Sequence, residues 1–98
     1  DEAGSQDFVK AYEAAYNEVP LQFGAGAYDA VYAIKAAAEK AGITPDMSVS
    51  DICDAMKTAM TEITVDGLTG AQMTWNAAGE PEKAPKAAKI VNGVYVMQ

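Results

Sequence analysis

The chain has 98 residues, half of them hydrophobic and 21% charged, a balance that supports one small folded core and excludes a disordered or collagen-like chain. Fourteen acidic side chains against seven lysines leave a net charge of −7, which repels nucleic-acid phosphates and anionic membrane surfaces, so nucleic acid is not an expected partner. Histidine and arginine are both absent and Cys53 is the single cysteine, which removes imidazole acid–base chemistry, most zinc sites and any internal disulfide.

No segment approaches the roughly 18 apolar residues needed to cross a bilayer. The chain lacks an initiator methionine and opens on a helical pattern, so the sequence reads as a mature or trimmed part of something longer. Ser5 is a possible N-cap, and Phe8, Tyr12, Ala15, Tyr16 and Val19 then recur three and four residues apart on one face. Pro20 should end that helix near Val19, because a residue preceding proline is pushed out of the α region. Leu21 to Gly26 forms a brief apolar segment ending in two glycines. A second helix is expected from about Ala27 to Ala41, with Gly42 as its C-cap. Its apolar residues, among them Ala30, Val31, Ala33, Ile34, Ala37 and Ala38, cover most of the circumference, so it needs cover on most sides.

Ser48 and Asp51 have capping-box spacing, with Asp in place of Glu, ahead of a third helix running to about Thr61. Its inward face carries Ile52, Met56, Ala59 and Met60, with Ile63 beyond. Cys53, as a free thiol, is expected to be buried like a small hydrophobe. The last third changes character. Asp66 to Gly70 is a glycine-punctuated turn, Ala71 to Trp75 alternates as a half-buried strand, and Asn76 to Gly79 closes it. After a proline-broken stretch, Ile90-Val91 and Val94 to Val96 flank Asn92-Gly93, a strong signal for a type I′ hairpin. The order is three helices followed by two to four short strands, an α/β chain.

The glycines match neither phosphate-binding pattern, and Asn76, Gly79 and Glu80 lack the acidic first half of a calcium loop, so no cofactor and no metal site is expected. Carboxylates such as Asp51 and Asp54 are explained by helix starts and solvation. Asp29 stands apart, because it follows a glycine-rich turn at the start of a largely apolar helix, beside Tyr28. It either favours the positive end of that helix or stands near a ligand cleft. Tyr28 and Tyr32 read as core or rim packing.

Several segments, taken in order, carry a resemblance. Phe8 with Tyr12 and Tyr16, then Pro20, then Ala27-Tyr28-Asp29-Ala30-Val31-Tyr32-Ala33-Ile34, then Ala37 to Gly42, resemble the later part of the substrate-binding proteins of branched-chain amino acid type ABC transporters. Gly67-Leu68-Thr69-Gly70, Met73 to Glu80 and Ile90 to Gly93 look like that family's succeeding segments, with Asn76 where Asp is usual and Ala78 where Asn is common. The resemblance implies a type I periplasmic-binding-protein lobe, with residues 1–98 a single domain that forms the C-terminal part of a two-lobe protein. It also implies a function, the capture of an amino acid or similar small solute between the lobes, and docking on membrane permease subunits. The location would be extracytoplasmic, in the periplasm or at the cell surface as a lipoprotein. The chain would be no enzyme, and most ligand contacts would come from upstream loops. Phe23 to Asp29 would face the cleft, with Tyr28 and Asp29 as its ligand-binding candidates. A lobe short of strands should also expose apolar surface and pair into a dimer. The alternatives are a ligand-sensing receptor domain of the same fold and a small acidic interaction module.

Overall fold

The computed structural model describes residues 3–98. Three helices come first: α1 (Ala3–Tyr16), α2 (Gln22–Ala41) and α3 (Val49–Met60). Four short strands follow: β1 (Thr74–Trp75), β2 (Pro81–Glu82), β3 (Ala88–Val91) and β4 (Val94–Met97). They form two separate antiparallel pairs, β1 with β2 and β3 with β4. This mixed α/β architecture has the expected order of elements.

Local chemistry accounts for most boundaries. The Ser48 side chain accepts the Asp51 N–H at 3.1 Å and caps α3. Gly42 ends α2 in the left-handed region at φ 66°, donating to the carbonyls of Ala38 and Glu39. Two helix limits differ from expectation. α1 stops at Tyr16 rather than near Val19, because Asn17 takes φ 54°, which asparagine tolerates, and donates its N–H to the Glu13 carbonyl at 2.8 Å. Ser5 lies inside α1 and does not cap it. α2 begins at Gln22 rather than Ala27, so the two glycines at 24 and 26 are helical. Leu21 precedes it without a side-chain cap, and its carbonyl accepts from Gly24 and Ala25.

The core is small. Ala33 and Ala37 of α2 meet Ala59 of α3, and Ile63, Val65 and Met73 complete the buried cluster, with Met56, Met60 and Trp75 packed around it. The alanines allow α2 and α3 to approach closely. The expected strand from Ala71 to Trp75 is reduced to β1 and a single bridge, in which Val65 and Met73 exchange both backbone bonds at 2.9 Å. Cys53 is exposed, contrary to expectation. It lies four residues before Lys57 on the wet stripe of α3, one position off the line of Ile52, Met56 and Ala59, so helical periodicity overrides the thiol's preference for burial.

The β3–β4 hairpin turns at Asn92-Gly93 with φ of 51° and 80°, the positive pair that a type I′ turn requires. Every residue of both strands is exposed, including Ile90, Val94 and Tyr95. The radius of gyration is 16.3 Å, against about 13 Å for a compact domain of this length. The excess reflects the hairpin standing away from the helical core. α2 is likewise covered on one face only, for Val31 and Ile34 remain 66% and 57% exposed.

Candidate functional site

The loop from Asp66 to Gln72 is built by its own polar groups. The Gly67 N–H donates to the Gly70 carbonyl at 2.9 Å, closing a tight turn. Asp66 closes the loop's base, its Oδ1 accepting the Gln72 N–H at 2.8 Å and the Gln72 side-chain amide at 2.9 Å. These bonds hold Gln72 at φ 52°, a conformation glutamine rarely adopts. They also hold the Asp66 carboxyl below its usual range, the backbone N–H contributing most and the side-chain amide next.

Asp29 ties this loop to α2. Its Oδ1 accepts the Leu68 N–H at 2.8 Å, while Oδ2 accepts the Thr69 N–H at 2.8 Å and the Thr69 hydroxyl at 2.7 Å. Only 6% of the residue is exposed. Burial pushes its pKa up, but the Thr69 hydroxyl, the N–H groups of Thr69 and Leu68 and the charge of Lys83 outweigh it, so the carboxyl lies below the ordinary aspartate range. Because α2 starts at Gln22, Asp29 stands two turns inside the helix, beyond the reach of the helix dipole that its sequence position suggested. Gly67 is required by contact: a Cβ there would sit 2.6 Å from the Asp29 carboxylate.

Beside Asp29, five aromatic rings run from α1 onto α2. Tyr16 meets Tyr12 at 4.8 Å between centroids, Tyr12 meets Phe8 at 6.0 Å, Phe8 meets Tyr28 at 4.9 Å, and Tyr28 meets Tyr32 at 5.0 Å. All are tilted by 51–53°, an arrangement that sets ring edges against ring faces. The Tyr28 hydroxyl points toward that of Tyr32 at 3.4 Å, a long contact. The hydrogen bond to Tyr32 is the first cause that raises the Tyr28 pKa, and the negative charge of Asp29 adds to it.

An open cleft of about 480 Å³ is walled by Tyr28, Asp29 and Tyr32 on α2, by Asp66, Gly67 and Leu68 on the loop, and by Gly4 and Ser5 of α1. The structure thus places Tyr28 and Asp29 together on one cleft wall. Asp66 and the Leu68–Thr69 amides were not singled out as site residues from the sequence, although the Gly67-Leu68-Thr69-Gly70 segment marked their location. Among the described residues, no group of three or more potential ligands is arranged to hold a metal ion, and no helix is long and apolar enough to cross a membrane.

A family model for periplasmic binding proteins matches residues 1–96, and the chain belongs to that family. Among solved structures, it is similar to an ABC transporter substrate-binding protein from Desulfitobacterium hafniense, with a TM-score of 0.73 and 18% sequence identity. The match covers 99% of this chain and 27% of that one, so the chain spans about a quarter of that protein's length. No curated protein matches the sequence.

Proposed function

We propose that the chain serves a receptor that captures a small solute, an amino acid or a similar molecule, between two lobes and presents it to the permease subunits of an ABC importer. Membership of the periplasmic binding protein family supports solute capture. The observation that carries the reading to individual residues is the open cleft in which Tyr28 and Asp29 stand side by side. In this reading Tyr28, which is 41% exposed on the cleft, touches the solute. Asp29 orients the Leu68–Thr69 amides and presents the unused acceptor capacity of Oδ1.

Residues 1–98 act as one domain, the C-terminal part of the two-lobe protein, and work outside the cytoplasm, in the periplasm or at the cell surface. They bind and release their solute without chemically altering it. Expressed alone, the chain pairs into a dimer through the apolar surface of α2 and the β3–β4 hairpin, because patches of this kind and unpaired strand edges recruit cover. Its net charge of −7 opposes pairing only weakly at physiological salt, where screening acts beyond about 8 Å.

The test is to express the reading frame that contains these residues and titrate it with amino acids by calorimetry, with Tyr28→Ala as the comparison. Micromolar binding that the substitution weakens supports the reading. Binding unaffected by Tyr28→Ala removes the site assignment, and the absence of binding by any small solute removes the function. Light scattering on the 98-residue chain at micromolar concentration checks pairing, and a mass of 10.3 kDa refutes it.

A further inference from the structure

We infer that the cleft between α2 and the Asp66–Gln72 loop selects an organic cation, an ammonium group carrying small apolar substituents, over neutral and anionic solutes of the same shape. The inference rests on the cleft being a ligand site, as proposed above, and adds the charge it prefers.

The donor set comes first. Two carboxylates, Asp29 and Asp66, stand on the lining, and no lysine lines the cleft among the described residues. The donors that reach these carboxylates are neutral: the amides of Leu68 and Thr69 and the Thr69 hydroxyl at Asp29, and the two Gln72 N–H groups at Asp66. Neutral donors orient a carboxylate without cancelling its charge. The nearby cation, Lys83, donates to Thr69 Oγ1 at 3.2 Å and lines a separate hollow with Phe23 and Ala27. Its charge reaches Asp29, where it lowers the carboxyl pKa, and the hydrogen bonds described at Asp66 come from Gln72. The described lining therefore presents two carboxylates, both held below the ordinary aspartate range, with Lys83 offsetting part of the charge at Asp29.

The second feature is aromatic. Tyr28 and Tyr32 present partly exposed rings 5.0 Å apart on the same cleft, 41% and 51% exposed. A ring face attracts a cation within about 6 Å of its centroid, most strongly one whose charge is spread over alkyl groups and only weakly hydrated. Aromatic rings and carboxylates held by neutral hydrogen-bond donors favour the same ligand. An anion at this place would meet two carboxylates, and a neutral molecule would gain only from the rings.

The experiment is a titration of the protein expressed from the reading frame that contains these residues, followed by amide NMR shifts, using three probes of nearly one shape: choline, 3,3-dimethylbutanol as its neutral carbon analogue, and 3,3-dimethylbutanoate. Choline is expected to shift the amides of Tyr28, Gly67 and Leu68 saturably, with at least fivefold tighter binding than the alcohol and no response to the carboxylate. Asp66→Asn, which keeps an acceptor oxygen for Gln72, should weaken choline by severalfold and leave the alcohol unchanged. Tyr28→Leu should weaken choline by about two- to fivefold, the range of one exposed cation–π contact. Raising salt to 1 M, where the screening length falls to about 3 Å, should narrow the gap between choline and the alcohol. Equal binding of choline and alcohol, or tighter binding of the carboxylate, overturns the charge preference and leaves the cleft as a solute site. Silence of all three probes overturns the cation preference, while the amino-acid titration with Tyr28→Ala described above tests the solute site separately.

Discussion

Replacing Asp29 with Asn tests the contact on which the site depends. Three donors at 2.7–2.8 Å converge on the carboxylate, and two of them are backbone N–H groups with no other partner in the loop's bond pattern. An amide at this position keeps one acceptor oxygen and turns an NH₂ group toward the second backbone N–H. One charge-assisted bond is then lost outright and another weakened, a destabilisation of about 2–4 kcal/mol. A chain of this length has about 5–15 kcal/mol in all, and a core with so few large buried side chains places it toward the low end. Urea unfolding followed by the emission of Trp75, which packs against the core, should therefore show a clear fall in midpoint with little change in slope. Thr69→Val removes only the hydroxyl donor and should cost about 1 kcal/mol. In the double variant the two losses should not add, because both residues share one hydrogen-bond group. The pH dependence has a definite sign. The Asp29 pKa is lowered by folding, so the unfolded state takes up its proton first as pH falls. The stabilisation is complete above the unfolded value of about 3.9 and is lost as pH falls through the folded value. Asp29→Asn should lack that acid loss. Superimposable unfolding curves for the variant and the parent would show that the carboxylate does not hold the loop.

Gly67→Ala should destabilise nearly as much as Asp29→Asn, since its Cβ would lie 2.6 Å from a carboxylate already pinned by three donors; a neutral effect on the urea midpoint would refute the contact. Gly93→Val places a β-branched residue at φ 80°, at a local cost of about 1–3 kcal/mol. Hydrogen exchange should show protection lost across β3 and β4 while the Trp75 transition stays unchanged, and a shifted transition would mean that the hairpin and core unfold together. Cys53, being exposed, should react fully with a maleimide under native conditions with helical ellipticity retained, whereas slow reaction limited by unfolding would contradict its position. Calorimetry of the 98-residue chain with free amino acids should show no micromolar binding, and a clear isotherm would refute the expectation that most polar contacts come from elsewhere in the longer protein.

The legible parts of the fold were those with local chemistry. Ser48 with Asp51, Gly42 and Asn92-Gly93 each determine a backbone feature through a side-chain oxygen or a positive φ, and each appears where the sequence placed it. Failures occurred where neighbours decide. The first turn of α2 has no side-chain cap, and its two glycines resemble breakers, so nothing local marks a helix start at Gln22. The preceding Pro20 and Tyr12 lie only 3.8 and 3.9 Å from a Cβ built at Gly24, ordinary contact distances that support the helix from outside it. The strand pattern from Ala71 to Trp75 was genuine but short of partners. Val65 pairs with Met73 and the β2 residues with Thr74 and Trp75, so the ladder breaks in two.

The site was half legible for a related reason. Asp29 stands out in the sequence as a carboxylate after a glycine-rich turn at the start of a largely apolar helix, and Tyr28 enters through the family resemblance, yet the partners of Asp29 lie 39 and 40 positions further along the chain. Periodicity describes one helix at a time and says nothing about which loop crosses it. With the crossing known, Gly67, Leu68, Thr69 and Asp29 form a single device: glycine permits the approach, two amides and a hydroxyl receive the charge, and the helix supplies rigidity. The buried bonds of that device fix the Asp29 carboxylate, while Asp66 and the two tyrosines remain exposed around it. Asp29 held fixed beside two exposed tyrosines, with Asp66 on the opposite loop, is an arrangement suited to discriminating charge, and for that reason the choline series tests the cleft more sharply than deletion of Asp29 itself.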